Sequence, residues 1–190
     1  MRYAYLWALG ALLLLGGARG FADDYSDTAT LFKNAGASAG FFSNCYGYAV
    51  FPTIGKGGFV VGAAHGNGRV FAHNHYTGDT SMTQVSVGLQ AGGQAYSQIV
   101  FFEDKRAYDE FTQGNFEFGA DVSAVAITAA AGGSVGTNGA NSGASGGMKD
   151  ARTSGKYYKG VAVFTIVKGG AMYQATVAGQ KFSYTPKGQE

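Results

Sequence analysis

The sequence predicts an α+β fold dominated by antiparallel strands, seven or eight of them in a curled or barrel-like sheet. An N-terminal helical segment and one mid-chain helix complete it. Three observations carry this expectation. From Gly57 onward the apolar period is two, most cleanly over 83–91, where Thr83, Val85, Val87, Leu89 and Ala91 alternate with Gln84, Ser86, Gly88 and Gln90. Glycine reaches 32 residues beside 14 phenylalanines and 12 tyrosines, while prolines number two, which suits close backbone approaches in a sheet and not a disordered linker. In two places only, 24–45 and 103–113, does the period change to that of a helix.

The chain has 190 residues, and its start reads as an export signal. Arg2 precedes an apolar run from Ala4 to Leu15, and small residues follow at plausible cleavage positions, after Gly20 or after Ala22. The run is shorter than the roughly 20 residues needed to cross a bilayer. The expected organisation is therefore a signal peptide over 1–22 and a single domain over 23–190. Cys45 is the one cysteine, so no intramolecular disulfide forms, and none stands at the signal end to carry a lipid anchor. The expected destination is the periplasm or the exterior of a bacterial cell.

Loss of Arg2 and Arg19 with the signal leaves twelve basic against twelve acidic residues. Charge is nonetheless unevenly placed. Residues 149–190 carry Lys149, Arg152, Lys156, Lys159, Lys168, Lys181 and Lys187 against Asp150 and Glu190, whereas 103–121 carries six acids against Lys105 and Arg106. Such a bipolar distribution can orient a molecule on an anionic layer.

Element by element, the helical pattern of 24–45 opens on Asp23, Asp24 and Asp27, where negative charge favours a helix start, and Gly36 and Gly40 break it. Asn67-Gly68 predicts a two-residue hairpin turn between strands at 59–64 and 69–76. Strands follow at 83–91 and 94–102. The helix at 103–113 gains i,i+4 pairs Lys105–Asp109 and Arg106–Glu110, buries Ala107, Tyr108 and Phe111, and stops at Gly114. A long strand is expected over 116–130, a flexible glycine-rich loop over 132–147, and strands at 160–167, 171–178 and 181–185 with turns at 168–170 and 179–180.

Chemistry is scarce. With a turn at Asn67-Gly68, His65 lies on the face opposite His73, which assembles no zinc site. Cys45 sits beside Asn44 and Tyr46, which supply no base to activate it. Gly55-Lys-Gly-Gly lacks the Lys-Ser/Thr ending and the following helix of a phosphate loop. No Gly-x-Ser-x-Gly elbow stands at a strand-to-helix turn. The sequence thus predicts no enzyme activity, no cofactor and no metal, and its balanced mature charge argues against nucleic acid. What remains is a basic and aromatic cluster, Lys149, Arg152, Lys156 and Lys159 around Tyr157-Tyr158, with Lys56 and Arg69 as further cations. Basic groups near an anionic membrane contribute about 1 kcal/mol each, and tyrosines favour the headgroup level.

Several separated motifs resemble the SYLF lipid-binding domain family in order and spacing. They are Tyr48-Ala-Val-Phe-Pro52, Lys56-Gly-Gly-Phe-Val-Val-Gly62, Gly66-Asn-Gly68, Val87-Gly-Leu-Gln-Ala-Gly-Gly-Gln94, Phe116-Glu-Phe-Gly-Ala-Asp121 and Lys159-Gly-Val-Ala-Val-Phe164. The likeness covers roughly 30 to 185. It implies binding to membrane lipids, phosphoinositides in eukaryotic members, where actin-related roles also occur, and it brings no catalytic residues. Bacterial relatives are exported envelope proteins. The acid-rich first helix, with Lys33 its one basic residue, does not match the basic helix of eukaryotic members.

The reading is a non-enzymatic protein of the bacterial envelope that binds anionic headgroups through Lys149, Arg152, Lys156, Tyr157, Tyr158 and Lys159, with Lys56 and Arg69 secondary. The alternatives are a small outer-membrane β-barrel, or an envelope protein that binds a protein partner. Charge reversal at Lys156 and Lys159 is expected to weaken co-sedimentation with anionic vesicles; unchanged sedimentation removes this patch as the contact.

Overall fold

The computed structural model describes residues 20–58, 61–87, 92–119, 122, 124–127, 156–170, 177 and 179–188. The glycine-rich stretch 132–147, Lys149, Arg152, residues 1–19 and nearly all of the expected strand 171–178 lie outside them.

Three helices open the described residues: α1 (Gly20–Asn34), α2 (Gly36–Ala39) and α3 (Phe41–Asn44). The breaks fall at Ala35, beside the expected Gly36, and at Gly40. Four long strands follow, β1 (Gly47–Gly58), β2 (Val61–Ala72), β3 (His75–Val87) and β4 (Gly92–Phe102). Then come α4 (Lys105–Thr112), β5 (Phe116–Glu117), β6 (Ala124–Ile127), β7 (Val161–Gly170) and β8 (Lys181–Pro186). They form one sheet in the order β5-β8-β3-β2-β1-β4-β7-β6, antiparallel throughout except for the parallel pair β6–β7.

The sheet is curled. In that order β8 and β1 are three steps apart, roughly 14 Å in a flat sheet, yet the Phe51 and Phe182 rings lie 5.7 Å apart. Gln98 Nε2 on β4 likewise donates to Gln180 Oε1, just before β8, at 2.9 Å. The inner face therefore forms its own core, in which Phe51, Ile54, Met82, Phe102 and Phe182 meet Phe111 of α4. Helices α1 to α3 cover part of the outer face, where Phe32 and Ala35 pack on Tyr48, Val50, Ile99, Phe101 and Phe164.

The helix α4 is as the sequence predicts. Asp104 caps it by accepting from the Ala107 amide at 2.9 Å, and both i,i+4 ion pairs form. The Asn67-Gly68 hairpin does not form. Both residues lie inside β2, and the β2–β3 turn is His73-Asn74, with φ of 49° and 64°. Asn and His are among the few side chains that tolerate such φ values. Gly68 is needed instead for space: a Cβ there would stand 2.6 Å from the Phe51 ring. The histidine geometry changes accordingly, with His65 paired to Thr83, His73 in the turn and His75 opening β3. Among the described residues, the expected strand 116–130 is two short ones on opposite edges of the sheet, with 128–130 outside them, and Lys168, Gly169 and Gly170 continue β7 where a turn was expected.

Gly68→Ala is expected to cost about 1–3 kcal/mol through overpacking. Gly55→Ala, where a Cβ meets nothing within 4 Å, should be neutral or stabilise by up to about 1 kcal/mol. Urea unfolding of both variants checks the contrast; equal midpoints would contradict the packing role of Gly68.

Candidate functional site

The strands give the sheet two distinct ends. At the turn end, Gly47 pairs with Ala72 and Phe102, and Phe102 pairs with Val161. At the hairpin end, Gly58 pairs with Gly62 and Gly92, and Val61 with Val87. About 11 residues of β1 separate them, roughly 36 Å.

The expected site residues divide between these ends. Lys156, Tyr157, Tyr158 and Lys159 lie at the turn end, where Tyr158 bridges to Val161. Lys156 lines an open cleft of about 500 Å³ with Gly40, Phe41, Asn44, Glu103 and Tyr157. The Tyr157 ring packs edge-on against Phe41 at 5.1 Å, and burial pushes its hydroxyl pKa upward. Tyr158 is 46% exposed, with Lys159 Nζ 5.4 Å from its ring centre. Arg69 is tied into the scaffold: its guanidinium stacks on Tyr25 of α1 and on Tyr76, with Nε 3.5 Å from Asp79.

Lys56 stands apart from all of these, on the inner face at the hairpin end and only 5% exposed. Its neighbours across the sheet are Ala64 and Gln94, and Ala64 pairs in turn with Gln84. Both glutamines are buried. A polar stripe continues from there through the interior: Gln180 Nε2 donates to the Tyr96 hydroxyl at 3.3 Å and exchanges bonds with Gln98. Lys56 meets no acidic partner among the described residues, and desolvation lowers its pKa below the usual lysine value.

The outer face at this end is the reverse. Val61 and Val85 are 58% and 71% exposed, and Ala63, the cross-strand partner of Val85, lies exposed between them. Helices α1 to α3 do not reach this strip. Of the alternation expected over 83–91, the described side chains are Thr83 and Val85, which point to solvent, and Gln84, which points inward; residues 88–91 lie outside the described residues. Val61 and Val85 were missed because an apolar strand face is ordinarily assigned to the core; glutamines recurring on the other face at 84, 94 and 98 were the available signal.

A family model described as Ysc84, Las17-binding protein actin regulator, matches residues 83–186, the span from within β3 to the end of β8. The chain belongs to the Ysc84 (SYLF) family. This is a family of binding domains. The chain is also 30% identical over 162 residues to Beta cell expansion factor A of Aeromonas veronii, across 83% of this chain and 53% of that protein. It therefore spans about half the length of the curated relative it matches.

Because the folded-state pKa of Lys56 is depressed, the unfolded chain holds that proton more tightly. Wild-type stability should then rise as pH climbs from neutral towards the ordinary lysine value of 10.5. Lys56→Met should be the more stable form at neutral pH, with the gap closing above 10.5. Chemical unfolding across that window checks this; a gap independent of pH contradicts an unpaired buried cation.

Proposed function

We propose that this SYLF-family protein is a non-enzymatic binder of membrane lipid surfaces in the bacterial envelope, and that it meets the bilayer with the hairpin end of its sheet. One observation carries the reading. At that end the sheet is apolar outside and polar inside, with Val61, Ala63 and Val85 outward and Lys56, Gln84 and Gln94 inward. That is the polarity of strands facing lipid. Elsewhere the inner face is filled by phenylalanines and the outer face is apolar beneath α1 to α3, which favours partial immersion of one end over a spanning barrel.

Exposed apolar strips on soluble domains also serve protein partners. The family description, which names Las17 binding and actin regulation, favours a protein partner as the second reading. The export signal read over 1–22 supports the envelope as the place of action, and the anionic layer there suits the cations Lys156 and Lys159, which remain the competing contact at the opposite end.

Vesicle co-sedimentation separates these readings. Val61→Asp with Val85→Asp puts two charges where acyl chains would lie, at about 2.5–3.5 kcal/mol each near a bilayer centre and less at its surface. The expected result is at least about a tenfold loss of vesicle partitioning with the fold intact by circular dichroism. Full partitioning by this double variant overturns the assignment of the hairpin end.

A further inference from the structure

The inner face at the hairpin end holds polar groups that the fold does not complete. Lys56 is 5% exposed and Gln94 is 7% exposed. Gln94 Oε1 is buried with no hydrogen-bond partner. Lys56 and Gln94 are cross-strand neighbours on β1 and β4. The cost of leaving a buried polar group unmade is about 1–3 kcal/mol, and more for a charged one. In the same interior, Gln98, Gln180 and Tyr96 complete one another, so the sequence satisfies buried amides where it has partners for them.

The inward set has the chemistry of an anion receptor. A lysine ammonium offers three donors and a full charge, and the carboxamide beside it, turned over, can present its NH2 to a bound oxygen. Among the described residues no carboxylate shares this stretch of the inner face to compete for the lysine. The glycines around it, Gly55, Gly57, Gly58 and Gly62, keep the end of the sheet free of side-chain bulk.

We infer that Lys56, with Gln94 beside it, forms a binding site for an oxyanion group, a phosphate or carboxylate, inside the curled sheet. This deepens the membrane reading, on which it draws for the orientation of that end, but it makes a separate claim: the anion enters the concave side and does not merely meet an outer cationic patch. The shared ligand chemistry is the oxyanion, whether carried by a lipid headgroup or free in solution.

The test follows the Lys56 side chain directly, by NMR of the full chain labelled with ¹³C-lysine. The probes are inorganic phosphate in one arm and a short-chain phosphatidylglycerol below its micelle concentration in the other. A saturable shift of the Lys56 Cε signal with either probe supports the site, and the arm in which it occurs identifies the source. Lys56→Met should weaken the thermal stabilisation by that probe at least about tenfold in apparent affinity, while Lys105→Met, on the exposed face of α4, leaves it unchanged. Lys56 signals that ignore both probes, or stabilisation that survives Lys56→Met, overturn the inference. The two claims fail separately. Vesicle binding with a silent Lys56 leaves the membrane reading and removes the interior site; a responsive Lys56 without vesicle binding does the reverse.

Discussion

The sheet can curl because two large side chains of β1 lie over glycines of β2. Phe51 sits where a Cβ on Gly68 would be, and Ile54 does the same at Gly66, with hypothetical contacts of 2.6 Å in both cases. Removing side chains from one strand lets its neighbour lean inward. That brings Phe51 to Phe182 and Gln98 to Gln180 across the concave side. Every inner-face property follows from this closeness, including the phenylalanine core, the seat of α4 on it, and the burial of a lysine that would be exposed on a flat sheet.

The curl also explains why polarity can reverse along the strands. At the turn end the inner face is filled by Phe102 and Phe111 and the outer face is sealed by α1 to α3, so both sides of the sheet are apolar and covered. At the hairpin end the helices are absent, and valines that would otherwise be buried beneath them stand in the open. Inside, the phenylalanines give way to glutamines and Lys56. A single architecture therefore has one end covered on both faces and another with apolar groups exposed outside and polar groups inside. The family relationship points to binding, and the asymmetry names the end at which binding is to be sought.

Much of the fold was legible in the residues. Period-two alternation from Gly57 onward locates most of the strands, and the helix α4 was readable to its cap and its ion pairs because those signals are local. What failed was non-local. Asn67-Gly68 carries a strong turn signal, yet the space that Gly68 leaves for Phe51 governs its conformation, and no short-range rule reports a neighbour on another strand. The strand expected over 116–130 split because β5 and β6 pair at opposite edges, a fact of sheet order that alternation does not encode.

The candidate site shows the same limit. Lys156 to Lys159 were found as a cluster because they are contiguous, and Lys56 because it stands in a motif, but the sequence could not reveal that roughly 30 Å separates them. Val61 and Val85 were read as ordinary strand residues, since exposure depends on where α1 to α3 stop. Hydrogen–deuterium exchange with and without anionic vesicles tests the central claim most directly. Immersion of the hairpin end predicts added protection at residues 61–65 and 81–87, with 156–160 unchanged. Protection confined to 156–160, or none anywhere on the sheet, would contradict it.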